Sequence, residues 1–412
     1  MLRGTIRVSF ILIVISQLVI KHVTSNPRNY EVVTPFMISS DINEFSLNLY
    51  KKISEAENGN LISSPFSVWV LLSLLTIGTN RITKLHLESV LNHRPSDEYY
   101  TGVQLMIKSL KLAGSAEVHL SNKIFVNNWL KIHQRFQYLG KTIYDSNAQS
   151  VDFRDSLMTC NIINHWITQN TEGAIKGIVR PDNLDRETSM MLVSVLYFEG
   201  KWVNQFAPYG TRKRLFYLED GTTTEIPTMY SRNYFKHIIV DYLGFTIIEL
   251  PYKSTKSISM FVIYPNQHQN LHAVEASLLS TNLQNLMMTV EAKDTIFYLP
   301  KFTIESEINL EIPLRKLGIH DIFENYAADF TNFSNESIHV SSIIQKVVIE
   351  VTETGTMAAA LSEGQLESRM SSTKIINVNR PFLVFIYCDG VNLFNGRVVN
   401  PEYPQKNIIN PF

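Results

Sequence analysis

The amino-acid sequence predicts one α+β domain that contains several mixed or antiparallel sheets. Helix-like and strand-like segments alternate irregularly, without the regular strand–helix alternation of a parallel α/β sheet. No linker rich in Pro, Gly or Ser divides the 412 residues, of which 45% are apolar and 18% charged, enough for a large core. The formal net charge of −1 gives no electrostatic reason to expect nucleic acid or a membrane surface as a partner.

Three segments have the pattern of helices. In residues 42–53 the apolar side chains recur at helical spacing. They are Ile42, Phe45, Leu49 and Ile53. A second helix opens at Pro65 and is apolar on nearly all faces as far as Thr79, which is typical of a helix buried on every side. A third helix is predicted over residues 161–170.

Three apolar runs are predicted to be strands, over residues 191–198, 257–265 and 294–304. Between the first two lies a short basic run, Arg212-Lys213-Arg214. We interpret this run as the solvated edge of a strand. The alternative is a contact surface for a partner.

The N-terminus resembles a secretory signal peptide. Arg3 and Arg7 precede an apolar stretch over residues 8–20, and small residues lead up to Ser25. The apolar stretch is shorter than the ~20 residues of a membrane-spanning helix, which argues against the alternative of an anchor. We therefore expect cleavage after Ser25, and a protein that is secreted.

Two cysteines and two glycosylation sequons bear on an extracellular location. A secreted chain with a core of this size does not need disulfides, so Cys160 and Cys388 are predicted to be buried free thiols. The sequons begin at Asn332 and Asn335, and at least one of them is expected to carry a glycan at the surface.

The motifs of common enzymes are absent from the sequence: GxSxG, HExxH, the P-loop and GxGxxG. Residues 371–374, Ser-Ser-Thr-Lys, match the short SxxK pattern of acyl-serine hydrolases, but the SDN and KTG partners of that pattern are missing. His268 and His272 are spaced like a metal pair, without an evident third ligand. We therefore predict no enzyme activity, no cofactor and no metal.

A long stretch of small and polar residues, 353–370, separates two strand-like runs, although loops of this length are usually functional or disordered. Its side chains alternate. One set is uncharged and mostly small: Thr356, Ala358, Ala360, Ser362, Gly364 and Leu366. The other set holds both carboxylates: Met357, Ala359, Leu361, Glu363, Gln365 and Glu367. This is the pattern of a strand with one face in a packed interior, although the alanines also favour a helix.

At this point the sequence resembles the serpin family over nearly the whole mature chain. The matching segments, in order, are NLISSPFSVWVLLSLLTIGT (60–79), INHWITQNTEGAIKGIV (163–179), LVSVLYFEGKW (192–202), YLPKFTIE (298–305), LRKLGIHDIF (314–323), IEVTETGTMAAA (349–360) and NVNRPFLVFI (377–386). The resemblance implies three β-sheets, eight to nine helices and an exposed reactive-centre loop at about 354–376. It also places the domain at 41–403, between an N-terminal segment (26–40) and a tail (404–412).

The resemblance implies a mechanism without catalytic residues. The loop is bait for a protease, which forms an acyl-enzyme with it. The cut loop then enters the central sheet as a strand and distorts the protease. The hinge residues that carry over are Glu353, Gly355, Thr356, Ala358, Ala359 and Ala360. Trp202 resembles the tryptophan at the breach, where the sheet first opens.

The attacked bond follows from the hinge glycine. In many inhibitory serpins the attacked residue lies fourteen positions after that glycine, which here resembles Gly355. The position is Arg369, followed by Met370, and arginine suits a trypsin-like specificity pocket. Lys374 is the other, less favoured register. The expected partner is thus a trypsin-like serine protease, and the inhibitor is expected to be a monomer.

Some positions depart from the family pattern in the shutter, the polar cluster beneath the sheet. Ser64 and Ser67 match, but Ser194 stands where asparagine is usual and Gln345 where histidine is frequent. Because a Gln amide both donates and accepts hydrogen bonds, such a cluster can still form.

The rival interpretations are a non-inhibitory serpin, acting as a carrier, storage protein or decoy, and the hydrolase. The inserting face has no charged or bulky side chain before Leu366, which favours an inhibitor.

Overall fold

The structure is a computed structural model that describes residues 35–94, 96–111, 117–266, 269–278, 281–356 and 373–403. The described helices are α1 (Pro35–Ser54), α2 (Pro65–Gly78), α3 (Arg81–Val90), α4 (Asp97–Lys111), α5 (Gln134–Tyr144), α6 (Ser156–Asn170), α7 (Leu271–Leu278), α8 (Leu283–Met288) and α9 (Glu311–Lys316). Short 3-10 turns lie at Pro181–Asn183, Pro208–Gly210, Asp241–Leu243 and Asp321–Phe323. Among the described residues, no helix has the length and apolarity needed to cross a membrane.

Fifteen strands are described: β1 (Leu61–Ser63), β2 (Glu117–Asn127), β3 (Ala148–Val151), β4 (Met190–Lys201), β5 (Arg212–Tyr217), β6 (Thr223–Val240), β7 (Phe245–Pro251), β8 (Ile258–Pro265), β9 (Glu291–Pro300), β10 (Phe302–Asn309), β11 (Ser342–Val351), β12 (Gly355–Thr356), β13 (Lys374–Asn377), β14 (Phe382–Cys388) and β15 (Val391–Val398). A six-stranded sheet has the order β10-β11-β4-β2-β3, with β12 paired to β4. A nine-stranded sheet has the order β1-β15-β14-β8-β7-β6-β9-β13, with β5 paired to β6. The α+β class is confirmed.

The family resemblance implies three sheets, whereas the described strands form two hydrogen-bonded sheets, because two of the three are joined into the nine-stranded sheet. The reason is the 18-residue strand β6. It pairs with β9 over residues 228–237 and with β7 over residues 237–240, so one strand belongs to both halves of the nine-stranded sheet.

The predicted helices are confirmed, but two of them begin earlier than predicted, α1 at Pro35 and α6 at Ser156. The four apolar residues that set the helical spacing of α1 are all at most 1% exposed. In α2 every residue except Ile77 is buried, as its apolar faces predict. The third helix, α6, begins at Ser156, five residues before the predicted start, because the Asp155 carboxylate accepts a hydrogen bond from the Met158 N–H (3.0 Å) and caps it.

The strand predicted over 294–304 is wrong as a single strand. The chain divides at Lys301 into β9 and β10, which belong to different sheets. Pro300 has no N–H to donate and ends β9, while the Lys301 N–H donates to the Pro227 carbonyl (2.8 Å) outside either ladder. Periodicity could not show this break because the apolar pattern continues across it.

The two faces of the six-stranded sheet are covered differently. On one face, a hydrophobic cluster built by α6 and by the segment that follows it (residues 175–184) includes Met191, Val193 and Val195 of β4, and Ile344 and Val348 of β11 pack against it. On the other face, α2 lies against β4 and presents the Ser67 hydroxyl to the Ser194 hydroxyl at 2.8 Å. Successive residues of β4 therefore face α2 and α6 alternately.

Candidate functional site

The candidate site is the seam between β4 and β11, the two central strands of the six-stranded sheet. They pair in parallel from Met191 opposite Ser342 to Tyr197 opposite Val348. Beyond these pairs the ladder stops, although both strands continue. The seam is therefore closed along most of its length and open at one end.

The chain after β11 enters that open end. The Thr352 N–H donates to the Gly355 carbonyl (2.8 Å), which closes a tight turn and reverses the chain. The two residues of β12 then pair antiparallel with β4, Gly355 opposite Lys201 and Thr356 opposite Gly200. Strand β12 also contacts β11. The first residues of the predicted hinge thus already form a short strand at the mouth of the seam.

Gly355 is required at this position by geometry. Its φ of +149° lies in a region that L side chains rarely adopt. A Cβ atom at Gly355 would stand 2.0 Å from the Gly200 carbonyl oxygen and 2.7 Å from the Lys201 Cα. Both neighbours are backbone atoms of β4, which cannot rotate away. Any other residue would have to move the hinge strand off β4.

Glu353 fixes the start of the hinge. Its carboxylate accepts a hydrogen bond from the Thr211 hydroxyl (2.7 Å) and forms a salt bridge with the Lys301 ammonium (2.9 Å). Burial tends to raise the pKa of Glu353, but the bonds from Lys301 and Thr211 outweigh it and lower the pKa. Sequence reasoning predicted Glu353 but missed both partners, because nothing in the local pattern joins residues so far apart in the chain.

Trp202 is hydrogen-bonded to the turn at the same end of the seam. It is 1% exposed, and its indole Nε1–H donates to the Thr352 carbonyl at 3.0 Å. Its backbone N–H donates to the Thr354 carbonyl, also at 3.0 Å. The indole stacks on Tyr252 with ring centroids 4.3 Å apart, a contact that the sequence did not reveal. Trp202 therefore positions both strands of the turn that leads into β12.

The four predicted shutter residues come together in one buried network under the seam. The Gln345 amide nitrogen donates to the Ser67 hydroxyl and to the Ser64 carbonyl, both at 2.8 Å, and its oxygen accepts from the Ser64 N–H at 3.0 Å. The Ser67 hydroxyl also contacts that of Ser194 at 2.8 Å. All four side chains are fully buried. Since Ser194 lies on β4 and Gln345 on β11, the network ties the two strands together through the start of α2.

Three further sequence predictions can be compared with the structure. Cys160 and Cys388 are buried free thiols, as predicted, and burial raises the pKa of Cys388 to about 12. The basic run lies on β5, where Arg212, Lys213 and Arg214 are all exposed, as expected of a solvated strand edge.

Both sequon asparagines are exposed, but they differ in their contacts. The Asn332 amide nitrogen donates to the Thr79 carbonyl (2.8 Å), and the Ser334 hydroxyl of the same sequon is buried. The Asn335 amide is bound through its oxygen, which lies 3.1 Å from the His133 Nε2 atom.

Several predictions lie outside the described residues. They are the signal peptide, the hinge residues Ala358, Ala359 and Ala360, the bond between Arg369 and Met370, the tail, His268 and Ser371. Of Thr356 only the backbone is described. Within the described ranges, no group of three or more His, Cys, Asp or Glu side chains could hold a metal ion.

Comparison with known proteins defines the class. A family model described as serpin (serine protease inhibitor) matches residues 40–401. Glia-derived nexin of Rattus norvegicus is 31% identical over 90% of this chain and 97% of the relative. Antichymotrypsin-2 of Bombyx mori is 29% identical over 85% and 95%. The solved structure of human thyroxine-binding globulin complexed with thyroxine has a TM-score of 0.83 and 27% identity, over 90% of this chain and all of that one.

The chain belongs to the serpin family, and the family model together with relatives that are named as inhibitors supports protease inhibition as its broad activity.

Proposed function

We propose that this serpin inhibits trypsin-like serine proteases by offering Arg369–Met370 as bait and then inserting the cut loop between β4 and β11. The observation that carries the proposal is β12, because the loop already begins as a strand on β4. The open end of the seam would then accept the loop, and β12 would be the start of the inserted strand. The buried shutter network would hold the rest of β4 and β11 together until the loop is cut.

The register of β12 predicts where the inserted loop would lie. Thr356 lies opposite Gly200, so each later loop residue would lie opposite the preceding residue of β4. Extended in this register, Leu366 would meet Met190, the first residue of β4. Arg369, three residues later, would pass beyond the far end of the strand. The bait residue would thus travel the full length of the sheet and carry an attached protease with it.

The same register accounts for the two faces of the loop. Ser362 would lie opposite Ser194, whose hydroxyl points to α2, so the small uncharged set that includes Thr356 would enter the interior. Leu361 would lie opposite Val195 on the α6 side, where an apolar side chain fits. Glu363, opposite Val193, must reach water past α6, which makes it the least favourable position of the inserted strand.

The free energy of insertion follows from hydrogen bonding. Opening the seam breaks one parallel ladder between β4 and β11. A strand that enters antiparallel to β4 is antiparallel to β11 as well, so two antiparallel ladders replace the parallel one. Antiparallel pairing is slightly more stable per residue, and the small side chains of the inserting face add apolar burial. The uncut loop cannot reach this state because it is fixed at both ends.

The first test is trapping of trypsin. Mixed with trypsin, the protein should form a complex that survives SDS, and mass spectrometry of the cut inhibitor should find the new C-terminus at Arg369. Arg369→Ala should abolish the complex without changing thermal stability, because an exposed loop charge contributes little. A cut at another bond would show that the register is wrong.

A second test separates trapping from simple cleavage. Thr356→Arg would place an unpartnered guanidinium on the inserting face, at a cost of several kcal/mol. The variant should be cut at Arg369 and release active trypsin. Met357→Arg is the matched control on the other face and should inhibit nearly as well as the parent. Equal inhibition by both variants would contradict insertion in this register.

The competing function is that of a carrier, since the fold is shared with thyroxine-binding globulin. A carrier predicts no SDS-resistant complex with any protease, so the trapping experiment separates the two functions.

We also propose that the protein is a secreted, glycosylated monomer. Expressed in a eukaryotic cell, it should reach the medium beginning at Asn26, with a glycan at Asn332 or Asn335. N-terminal sequencing that returned Met1 would contradict cleavage of the signal peptide.

A further inference from the structure

Both ends of the bait loop are attached to the same part of the nine-stranded sheet. At the start of the loop, Glu353 accepts a hydrogen bond from the hydroxyl of Thr211, the residue before β5 (2.7 Å). At its end, the Arg232 guanidinium on β6 donates to the Thr373 hydroxyl (3.1 Å). A protease bound to the loop would therefore stand next to β5, β6, β9 and β13.

The side chains presented there are large and exposed. Ile375 on β13 lies opposite Ile296 on β9, which lies opposite Arg232, so these three residues share one face of the sheet. Tyr234 lies two residues along β6 on the same face, since side chains alternate. Tyr234 is 64% exposed and Ile375 60% exposed. Tyrosine and arginine around an apolar centre are the composition that protein interfaces favour.

The charge of this region comes from β5. Arg212, Lys213 and Arg214 are consecutive and exposed, and no carboxylate of the described residues lies within salt-bridge distance of any of them. The Arg214 guanidinium instead stacks 3.9 Å above the ring of Tyr298. By contrast, Arg232 is neutralised by Asp294 at 2.8 Å. The cationic charge is therefore concentrated on β5, beside the apolar part of the face.

We propose that this surface, the β5 face, is a second contact for the target protease. It consists of Arg212, Arg214, Tyr234, Tyr298 and Ile375, and Lys213, whose side chain alternates to the other side of β5, adds to the charge of that strand. Its partner is a trypsin-like protease with an acidic surface beside its catalytic cleft. The loop selects the residue to be cut, and the β5 face selects among proteases that share that specificity. This inference rests on the proposed function, because the loop is what brings the protease to the face.

Electrostatic steering gives the inference a measurable form. Unpaired surface charges mainly change the association rate and its salt dependence. Anionic and cationic trypsins cut after the same residues but carry opposite surface charge, so they form a matched pair of probes. The parent should form the covalent complex faster with anionic than with cationic trypsin at low salt. The variant Arg212→Ala/Lys213→Ala/Arg214→Ala should lose about tenfold in rate with anionic trypsin. It should stay within about twofold with cationic trypsin.

A control variant with the same loss of charge distinguishes an effect of the β5 face from an effect of the protein's net charge. Lys131, Lys141 and Lys176 are exposed and lie outside these strands, and their triple alanine variant should leave the ratio of the two rates unchanged. Added salt should remove the difference between the parent and the β5 variant. The inference is overturned if the β5 variant slows both trypsins equally, or if it behaves like the control. If no covalent complex forms with either trypsin, the proposed function itself fails, and this inference fails with it.

Discussion

Gln345 is the residue whose replacement should distinguish the closed seam from the filled one. In the closed seam its amide joins β11 to Ser64 and Ser67 at the start of α2, while Ser67 contacts Ser194 on β4. A strand inserted between β4 and β11 would move them apart by the ~4.8 Å spacing of neighbouring strands. The hydrogen bonds on both sides of the seam cannot then be kept together.

The variant Gln345→Met keeps the volume of the side chain and removes its hydrogen bonds. The Ser64 N–H then loses its acceptor, because among the described residues it donates to the Gln345 oxygen alone (3.0 Å). The Ser64 carbonyl keeps the Ser67 hydroxyl as a donor (3.0 Å). The cost is therefore that of one buried orphan N–H, about 1–3 kcal/mol. At roughly 2 °C for each kcal/mol in a domain of this size, the uncut protein should unfold about 2–6 °C earlier.

The assay is thermal unfolding of two forms of each variant: the uncut protein, and protein cut in the loop by a trace of trypsin. Gln345→Met should lower the unfolding temperature of the uncut form and leave that of the cut form nearly unchanged. Ser63→Ala is the matched control, since the Ser63 hydroxyl donates to the Asn395 side chain (2.6 Å) between β1 and β15, away from the seam. It should affect both forms alike. An equal loss in both forms of Gln345→Met would refute the role of the network across the seam.

Two further predictions concern the hinge and the pH dependence. Gly355→Ala should make the protein a substrate more often than an inhibitor, because the new Cβ would collide with the Gly200 carbonyl and cost about two ladder hydrogen bonds, or about 2 kcal/mol. Gly59→Ala is the control, since its Cβ would meet no atom within 4 Å. An unchanged stoichiometry of inhibition in Gly355→Ala would contradict the clash. His93 is buried against Tyr99, and burial lowers its pKa from 6.5 to about 4, so the unfolded state binds the extra proton and the contribution of His93 to the free energy of unfolding falls as the pH drops through this window. His93→Phe removes this contribution, so the free energy of unfolding of the variant, measured in urea between pH 7 and 4, should rise relative to that of the parent as the pH drops; a difference that does not change with pH would count against it. Asp41 opposes His93, because burial raises its pKa to about 6 and its protonation restores stability over the same range.

The sequence predicted best what depends on neighbouring residues. The spacing of Ile42 and Phe45 is a local property of one helix, and both side chains are buried as expected. The two faces of the loop are also a local pattern, but residues 357–372 lie outside the described part of the chain, so that assignment stays a prediction. The shutter came from the family resemblance, and Gln345 makes the hydrogen bonds that its chemistry allows.

What the sequence could not predict depends on how distant segments meet. The salt bridge between Lys301 and Glu353 joins the break between β9 and β10 to the turn between β11 and β12, and neither residue has a pattern that points to the other. Lys301 also marks the break between β9 and β10, which an unbroken apolar run concealed. The stack of Trp202 on Tyr252 has the same origin, because the order of strands in a sheet is not written in the spacing of residues along one of them.

Helix α6 gives the molecule a property that neither strand has alone. Its buried residues share one hydrophobic cluster with Val193 and Val195 of β4, and Ile344 and Val348 of β11 pack against the same cluster. If the two strands separate, the contacts of this cluster with at least one of them must be lost, and once the sheet has widened the cluster can pack again on the new surface. The helix therefore resists motion in both directions while favouring neither end state. If the cut loop inserts as proposed, the helix would be a kinetic barrier that slows both the opening of the uncut seam and the reversal of insertion.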